Sequence, residues 1–357
     1  MRMVSLFSGC GGLDLGLSQA GFETVLACDN DSAAVASYRA NFPDVAVYEG
    51  SVSDLNSDVM AETSGGATRE QIDLLAGGPP CPPFSKSRFY RKDKPRALSD
   101  ELGAETIGGF LRILRLLKPR AFLLENVAGM AYKVHRDALD HIVSTAAQLG
   151  YQCHWEVINA ADYGVPQIRE RFFLVGMLEQ TFEFPTPTHA ESPIGGLFGR
   201  CLDRWVTAGE AIGDLDSERN ADDGGHFAGG KHHDLLKEVP PGENYLFFTG
   251  ERGYPTPLFR WRSRYWSFLL KLSPDKPSWT IQARRSNNMG PFHWRNRILR
   301  IEEIKRLQTF PDHWTLSGTT EQQWRQVGNA VPPLLARHLG RALRKQLGTL
   351  GEHCSAE

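Results

Sequence analysis

The sequence predicts an α/β fold, a doubly wound and mostly parallel sheet accompanied by a smaller irregular domain. Three observations predict it. Apolar runs of strand length alternate with helix-length segments through the first 180 residues. Those runs are continuously apolar, as strands covered on both faces are. From 181 to about 290 the chain turns rich in Pro, Gly and Asp and loses any helical period.

MVSLF (3–7) is the first strand, ended by SGCGG, and LDLGLSQA follows as a helix that stops at Gly21. ETVLACD (23–29) is the next strand, and SAAVASYRANF (32–42) a helix ended before Pro43. IDLLAGG (72–78) is a strand that runs into GGPPCPPFSKS. TIGGFLRILRLL (106–117) has helical spacing, AFLLEN (121–126) is a strand, and RDALDHIVSTAAQLG (136–150) is a helix closed by glycine. YQCHWEVI and RFFLVGM complete the sheet. Helical signal returns at IEEIKRLQTF (301–310), EQQWRQVG and PPLLARHLGRALRKQL (332–347). These breaks divide the chain into 1–180, 181–300, a return segment 301–349 that rejoins the first domain, and a tail 350–357.

With 357 residues, 41% apolar and 23% charged, the chain has the composition of a globular protein with room for two domains. No stretch approaches the 18 apolar residues of a membrane span, and the N-terminus is too glycine-rich for a secretory signal. Six scattered cysteines form no C-x-x-C pair, so free thiols in a reducing cytoplasm are expected. His232-His233-Asp234 has no second ligand pair at a useful spacing, so a solvated loop is expected there and no metal. The net charge of −2 argues against a uniformly basic nucleic-acid binder. Yet Arg252 to Arg306 holds thirteen Lys/Arg against three Asp/Glu, with nine aromatics from Tyr254 to Trp294. Such a stretch fits a phosphate-contacting surface, or an arginine-rich surface over an aromatic core.

In an open α/β sheet, ligands bind beyond the carboxyl ends of the strands. FSGCGG lies at the first such end, where glycines admit a ligand to the backbone and a helix N-terminus favours negative charge. Asp29 ends the second strand, twenty residues after Gly9, where a ribose-binding acid would sit. Asp14 replaces the last glycine of G-x-G-x-x-G, so the loop alone fits either NAD or S-adenosylmethionine. Cys81 sits among four prolines in a stiff loop, which suits an oriented nucleophile and equally a cysteine in a turn. Glu125 follows another strand, as a candidate general acid or a helix cap. Arg169 and Arg171 alternate, so an extended chain would turn both to one side, toward an anion or polarised carbonyl, or onto a surface edge.

Six blocks occur in order: LFSGCGGLDLGL, GGPPCPPFS, LLENVAGM, NAADYGVPQIRERFFLVG, RIEEIKRLQTFPDHW and QVGNAVPPLLA. Through them the sequence resembles the DNA (cytosine-5) methyltransferases of bacterial restriction–modification type over most of its length. The resemblance implies a Rossmann-like S-adenosylmethionine-dependent fold and a methyl transferred to C5 of a flipped-out cytosine. It implies Cys81 as the nucleophile that attacks C6. Glu125 would hold N3 and the 4-amino group, Arg169 would contact the ring carbonyl, and Arg171 would support it or make a nearby contact. It implies a cofactor site of Phe7, Ser8, Gly9, Gly11, Gly12, Leu13, Asp29, Asn30, Ser51, Val52, Gly78, Pro80, Asn329 and Ala330. DNA contacts are implied at Ser85 and at Lys86, Arg88 and Arg91 of the loop 86–96, which closes over duplex DNA. The segment 181–300 would be the target-recognition domain, with Arg284, Arg285, Asn287 and Asn288 as base-reading candidates. The expected protein is a monomer acting apart from any cognate restriction endonuclease.

The sequence departs from the family pattern twice. Pro82 stands where Gln commonly follows the cysteine, and Ser51 stands where an acid commonly meets the adenine amine. An RNA cytosine-5 methyltransferase or a catalytically silent DNA-binding relative shares the scaffold, although the intact Cys81, Glu125 and Arg169 disfavour the silent form. A NAD dehydrogenase is remote.

Overall fold

A computed structural model describes residues 1–81, 84, 97–193, 202–216, 228–262 and 265–353. Pro82, Ser85, Lys86, Arg88 and Arg91 lie outside the described residues, as does the loop 86–96.

The main sheet has seven strands: β1 (Arg2–Leu6), β2 (Glu23–Asp29), β3 (Val47–Glu49), β4 (Leu74–Gly77), β5 (Ala121–Val127), β6 (Gln152–Asn159) and, after the two-residue β7 (Gln167–Ile168), β8 (Glu170–Met177). Their order is β3-β2-β1-β4-β5-β8-β6. The first five are parallel, whereas β8 runs antiparallel to both β5 and β6. Mostly parallel is thus the right description: β8 alone runs against the other six, and β6 beyond it resumes their direction. RFFLVGM is continuously apolar because β8 is an inner strand, and direction leaves no mark on such a run.

Five helices accompany these strands: α1 (Gly12–Gln19), α2 (Ser32–Asn41), α3 (Ser57–Thr63), α4 (Glu101–Leu117) and α5 (Arg136–Gln148). Alternate residues of each inner strand join different cores, as a strand's period of two requires. Val4, Leu75, Leu124 and Leu174 pack with α3, α4 and α5. Met3, Leu74, Leu123 and Val175 pack on the other face with α1.

Beyond Met177 regular structure becomes sparse. The described elements are β9 (His189–Ala190), β10 (Asp203–Arg204), α6 (Ala208–Ile212), α7 (His233–Glu238) and β11 (Ser278–Trp279). Then follow α8 (Ile301–Leu307), α9 (Thr320–Asn329) and α10 (Pro333–His353). α10 returns to lie along α1, closing the second face of the sheet. The approach is close: a Cβ on Gly16 would stand 2.3 Å from the Pro333 carbonyl oxygen, so only glycine fits there. A third core joins Leu246, Phe248, Phe292 and Leu299 to Ile304 and Leu307 of α8 and Trp324 of α9. Packing therefore runs without a break across residue 300.

His232, expected in a solvated loop, instead sets its ring against Phe259 and Phe268 at 5.4 and 5.6 Å. No described helix is long and apolar enough to cross a membrane.

Candidate active site

The carboxyl ends of β1, β2, β4 and β5 open on one edge of the sheet, and the sequence-predicted residues gather there. β4 ends at Gly77 and the chain turns through Gly78 to Cys81. The Asn126 amide donates to the Pro79 carbonyl at 3.0 Å, and Phe84 N–H donates to the Cys81 carbonyl at 2.9 Å. Phe84 is fully buried, with its ring edge-on to His135 at 5.4 Å. The half-buried thiol thus stands on a turn anchored on both sides.

Glu125 lies on β5 and Arg171 on antiparallel β8, where Arg171 pairs with Val127 and Phe173 with Glu125. That register puts Glu125 and Arg171 on one face as diagonal neighbours. Their side chains meet at 3.1 Å, and each is only slightly exposed. Gly78 makes room for the pair, since a Cβ there would stand 2.8 Å from Glu125 Oε2. Burial raises the Glu125 carboxyl above the usual range, with Arg171 and then Arg169 opposing. Burial also raises the Cys81 thiol, and Glu125 adds to the rise, while Arg171 and Arg169 act against it. The thiol is thus within electrostatic reach of Glu125 and both arginines.

The two arginines do different work. Arg169 is fully buried, and its guanidinium donates to the carbonyls of Ile281, Gly328 and Ala330 at 3.0, 2.7 and 2.9 Å. Its neighbour Gln167 accepts from Ile281 N–H at 3.0 Å and donates to the Leu307 carbonyl at 3.2 Å. Arg169 was expected at the ring carbonyl of the base, with Arg171 as its support or a nearby contact; the guanidinium of Arg169 is turned to these backbone carbonyls instead. Arg171 stands beside Glu125, while Arg169 is occupied in tying three chain segments together. The chain breaks its strand between Ile168 and Glu170, so strict alternation does not hold across that point.

The glycine loop after β1 has positive φ at Phe7, Gly9 and Gly11. Gly11, Gly12 and Leu13 are buried, and a Cβ on Gly12 would stand 2.6 Å from the Val331 carbonyl oxygen. Only Gly9 faces open space, with nothing within 4 Å of where its Cβ would be. Gly9 N–H and Asp31 N–H each donate to one oxygen of Asp29, at 2.8 and 2.9 Å. Those oxygens keep lone pairs for further donors. Asp14, at the position where a glycine was expected, is fully buried and accepts from Ser5 and Tyr38 hydroxyls at 2.9 and 3.0 Å.

Ser51 and Val52 follow β3, with Asn30 after Asp29. Sequence reasoning missed Glu105 of α4, whose Oε1 accepts from the Ser51 and Ser53 hydroxyls at 3.1 and 2.7 Å. Arg112, on the same face of α4 and further along it, donates to the carbonyls of Val52, Ser53 and Leu55. A carboxylate therefore does stand at the end of β3, supplied from a helix more than fifty residues away. No local sequence signal marks it. Asn329 is exposed at the end of α9 and Ala330 half-buried beside it.

Arg284 and Asn287 are exposed, but Arg285 pairs with Glu321 at 3.5 Å and Asn288 is partly buried. Much of the basic excess between 252 and 306 is consumed internally. Arg295 pairs with Asp216, Arg297 with Glu303 and Arg306 with Asp312, at 2.6, 2.6 and 2.8 Å. Lys271 and Lys305 are buried against backbone carbonyls.

A family model described as C-5 cytosine-specific DNA methylase matches residues 1–345. The chain is 37% identical to Type II methyltransferase M.SacI of Streptomyces achromogenes, over 98% of this chain and 94% of that protein. It is 34% identical to Type II methyltransferase M.NgoFVII of Neisseria gonorrhoeae, over 93% and 83% of the two. Among solved structures, it is similar to a candidate DNA modification methyltransferase encoded in an Escherichia coli prophage. That match has a TM-score of 0.68 and 22% identity, covering 98% of this chain and 99% of the other.

Proposed function

Because the chain belongs to the C-5 cytosine-specific DNA methylase family, we propose how its own residues carry out cytosine methylation on a specific duplex DNA sequence. It is a DNA cytosine-5 methyltransferase, and family and fold imply S-adenosylmethionine as methyl donor.

C5 of cytosine is a weak nucleophile. The Cys81 thiolate adds to C6, a new S–C6 bond forms, and electron density moves to C5. Glu125 holds N3 and the 4-amino group, supplying the proton that neutralises N3 as the thiolate adds. Its raised carboxyl pKa suits that donor role. Arg171 takes the base-facing position at the ring carbonyl and fixes the Glu125 side chain. Arg169 holds the segments that wall the crevice. Gly9, Asp29 and Glu105 would hold the donor, whose sulfonium methyl would pass to C5 and leave S-adenosylhomocysteine behind. Loss of the C5 proton to a base and departure of Cys81 sulfur from C6 restore the aromatic ring and free the enzyme. Reaching C6 requires the cytosine to leave the helix.

The sheet edge fits the donor. Gly9 leaves the backbone open to an approaching ligand. Asp29 retains acceptor capacity for ribose hydroxyls, and Glu105 offers a carboxylate for the adenine amine in place of Ser51. The segment 181–300 serves as the target-recognition region. A restriction–modification setting follows from the Type II relatives, with any nuclease acting separately and this protein as a monomer.

The observation that carries this reading is the Glu125–Arg171 pair beside the anchored Cys81. Tritiated methyl transfer to duplex DNA, single-stranded DNA and RNA in parallel tests it. Duplex DNA should be the preferred acceptor. Cys81→Ser should lose at least about a thousandfold in turnover while keeping donor binding. DNA with 5-fluorocytosine should trap the wild type covalently, because fluorine cannot leave as a proton does. A Cys81→Ser enzyme with substantial turnover would refute the covalent route.

A further inference from the structure

Nine large hydrophobic side chains are exposed among the described residues, and four of them, Leu258, Trp261, Tyr265 and Trp266, lie within nine positions of one another. Trp261 is the most exposed of all, at 54%. Isolated exposed hydrophobics are ordinary, but a cluster marks a contact surface. From Arg252 to Pro274 the sequence has five basic residues and no acid. Arg260 and Arg262 flank Trp261 and are exposed with it.

This stretch is not loosely held. Between the exposed residues, Phe259 turns inward, its ring edge-on to Tyr245, Phe248 and Phe268 at 5.9, 6.2 and 5.6 Å. The Tyr245 hydroxyl, on a buried side chain, accepts from Arg262 N–H at 2.8 Å and donates to the Arg262 carbonyl at 2.7 Å. Buried Asn244 donates to the Trp266 carbonyl at 2.8 Å, and Leu258 N–H donates to the Phe248 carbonyl at 3.0 Å. Buried polar groups thus fix the backbone while the indoles are left outside. A fixed backbone reduces the ordering cost of binding.

The stretch also connects to the active-site edge. The Trp266 ring packs on Trp279 at 5.6 Å, and Trp279 pairs with Ile168 across β11 and β7. Ile168 precedes Arg169 and, three positions on, Arg171.

We infer that Trp261 and Trp266, with Arg260 and Arg262 on either side of Trp261, form a pre-set stacking surface for DNA bases at the rim of the crevice. The arginines take the flanking phosphates and the indoles take base faces exposed where the duplex is opened. The exposed Arg260 and Arg262 suit a polyanion, and π faces suit unstacked bases. The inference rests on the DNA methyltransferase reading and adds the residues that grip the opened strand.

Fluorescence anisotropy with a duplex carrying the methylated site, across a salt series, tests it. Trp261→Ala should weaken binding by about tenfold or more with the salt slope unchanged. Trp261→Phe should recover most of that loss and Trp261→Leu should not. Arg260→Ala with Arg262→Ala should instead flatten the slope by up to about 2. Trp155→Ala, an exposed tryptophan on β6, should bind as the wild type does. If wild type methylates the duplex while Trp261→Ala and Trp261→Leu bind it equally well, the stacking surface is wrong. If sedimentation shows self-association that Trp261→Ala abolishes, with DNA binding intact, the surface joins copies of the chain and the inference also falls. If wild type neither binds nor methylates duplex DNA, the parent reading fails instead.

Discussion

In the sheet, charged side chains stand at strand ends and face a crevice; between 228 and 303 Lys271, Arg297 and Glu303 turn inward and hold loops. Glu125 and Arg171 belong to strands whose backbone groups are already satisfied by the ladder, so both side chains remain available for chemistry. In the second region, few backbone groups have ladder partners. There Arg297 pairs with fully buried Glu303, Lys271 donates to Asn296 at 2.6 Å, and Tyr245 and Asn244 donate to the carbonyls of Arg262 and Trp266. Irregular chain consumes polar side chains to satisfy its own backbone. The difference explains how one molecule keeps constant chemistry beside a surface free to vary: the ladder sets the first, and individually anchored loops carry the second.

The two arginines of the RER sequence put this contrast to its hardest test, being two residues apart and on opposite sides of it. Arg169→Ala should cost about 3–5 kcal/mol of stability, because three buried carbonyls lose their donor at once. Arg171→Ala should leave the denaturation midpoint nearly unchanged yet lower turnover by about a hundredfold or more. Urea melts alongside single-turnover rates decide it. Equal stability losses in both variants would mean that the pair at β8 is structural as well.

The pH response should differ in sign between the regions. Burial raises Asp14 in the sheet domain to about 6, above its unfolded value of about 3.8. Its contribution is fully present below the unfolded value and is lost as pH rises through about 6. Burial lowers His293 to about 4, although Glu303 and Asp216 oppose it and Arg297 and Arg295 assist. That contribution is present above about 6.5 and is lost as pH falls toward about 4. Asp14→Asn should therefore remove up to about 3 kcal/mol of acid-side gain, and His293→Gln should remove an acid-side loss. Thermal melts from pH 4 to 7 should show the two variants diverging from wild type in opposite directions. Parallel shifts would show that a shared charge term dominates.

The smallest effect sharpens the sheet side alone. Glu105→Ala should weaken S-adenosylhomocysteine binding by about tenfold, measured by calorimetry, while an analogue lacking the adenine amine should bind both proteins alike. Equal loss for both ligands would make Glu105 a brace for the 51–55 turn and no more.

What was legible in the sequence follows the same division. The strand ends bearing Asp29, Cys81 and Glu125 could be found because apolar runs mark strands, and chemistry sits where such runs stop. β8 was recognised as a strand, but its direction was not, since an inner strand has the same composition either way. The roles of Arg169 and Arg171 look interchangeable in sequence; only the strand break and the return of residues 281, 328 and 330 separate them. Glu105 had no local signal because its partners are on another element. The exposed indoles were hidden in an aromatic-rich stretch where Phe259 goes inward and Trp261 outward.

The helix α10 lies along α1, so one helix is covered by another that lies far later in the chain. During synthesis, Leu13 and Leu17 must wait for Leu335 and Leu339 to emerge before that face of the sheet is closed. At about 5–20 residues per second, the wait lasts on the order of tens of seconds. Arg169 waits likewise for the carbonyls of Gly328 and Ala330. A nascent chain holding Cys81, Glu125 and Arg171 but not the C-terminal segment would lack the wall of its crevice. The molecule thus couples the competence of its site to the synthesis of α9 and α10.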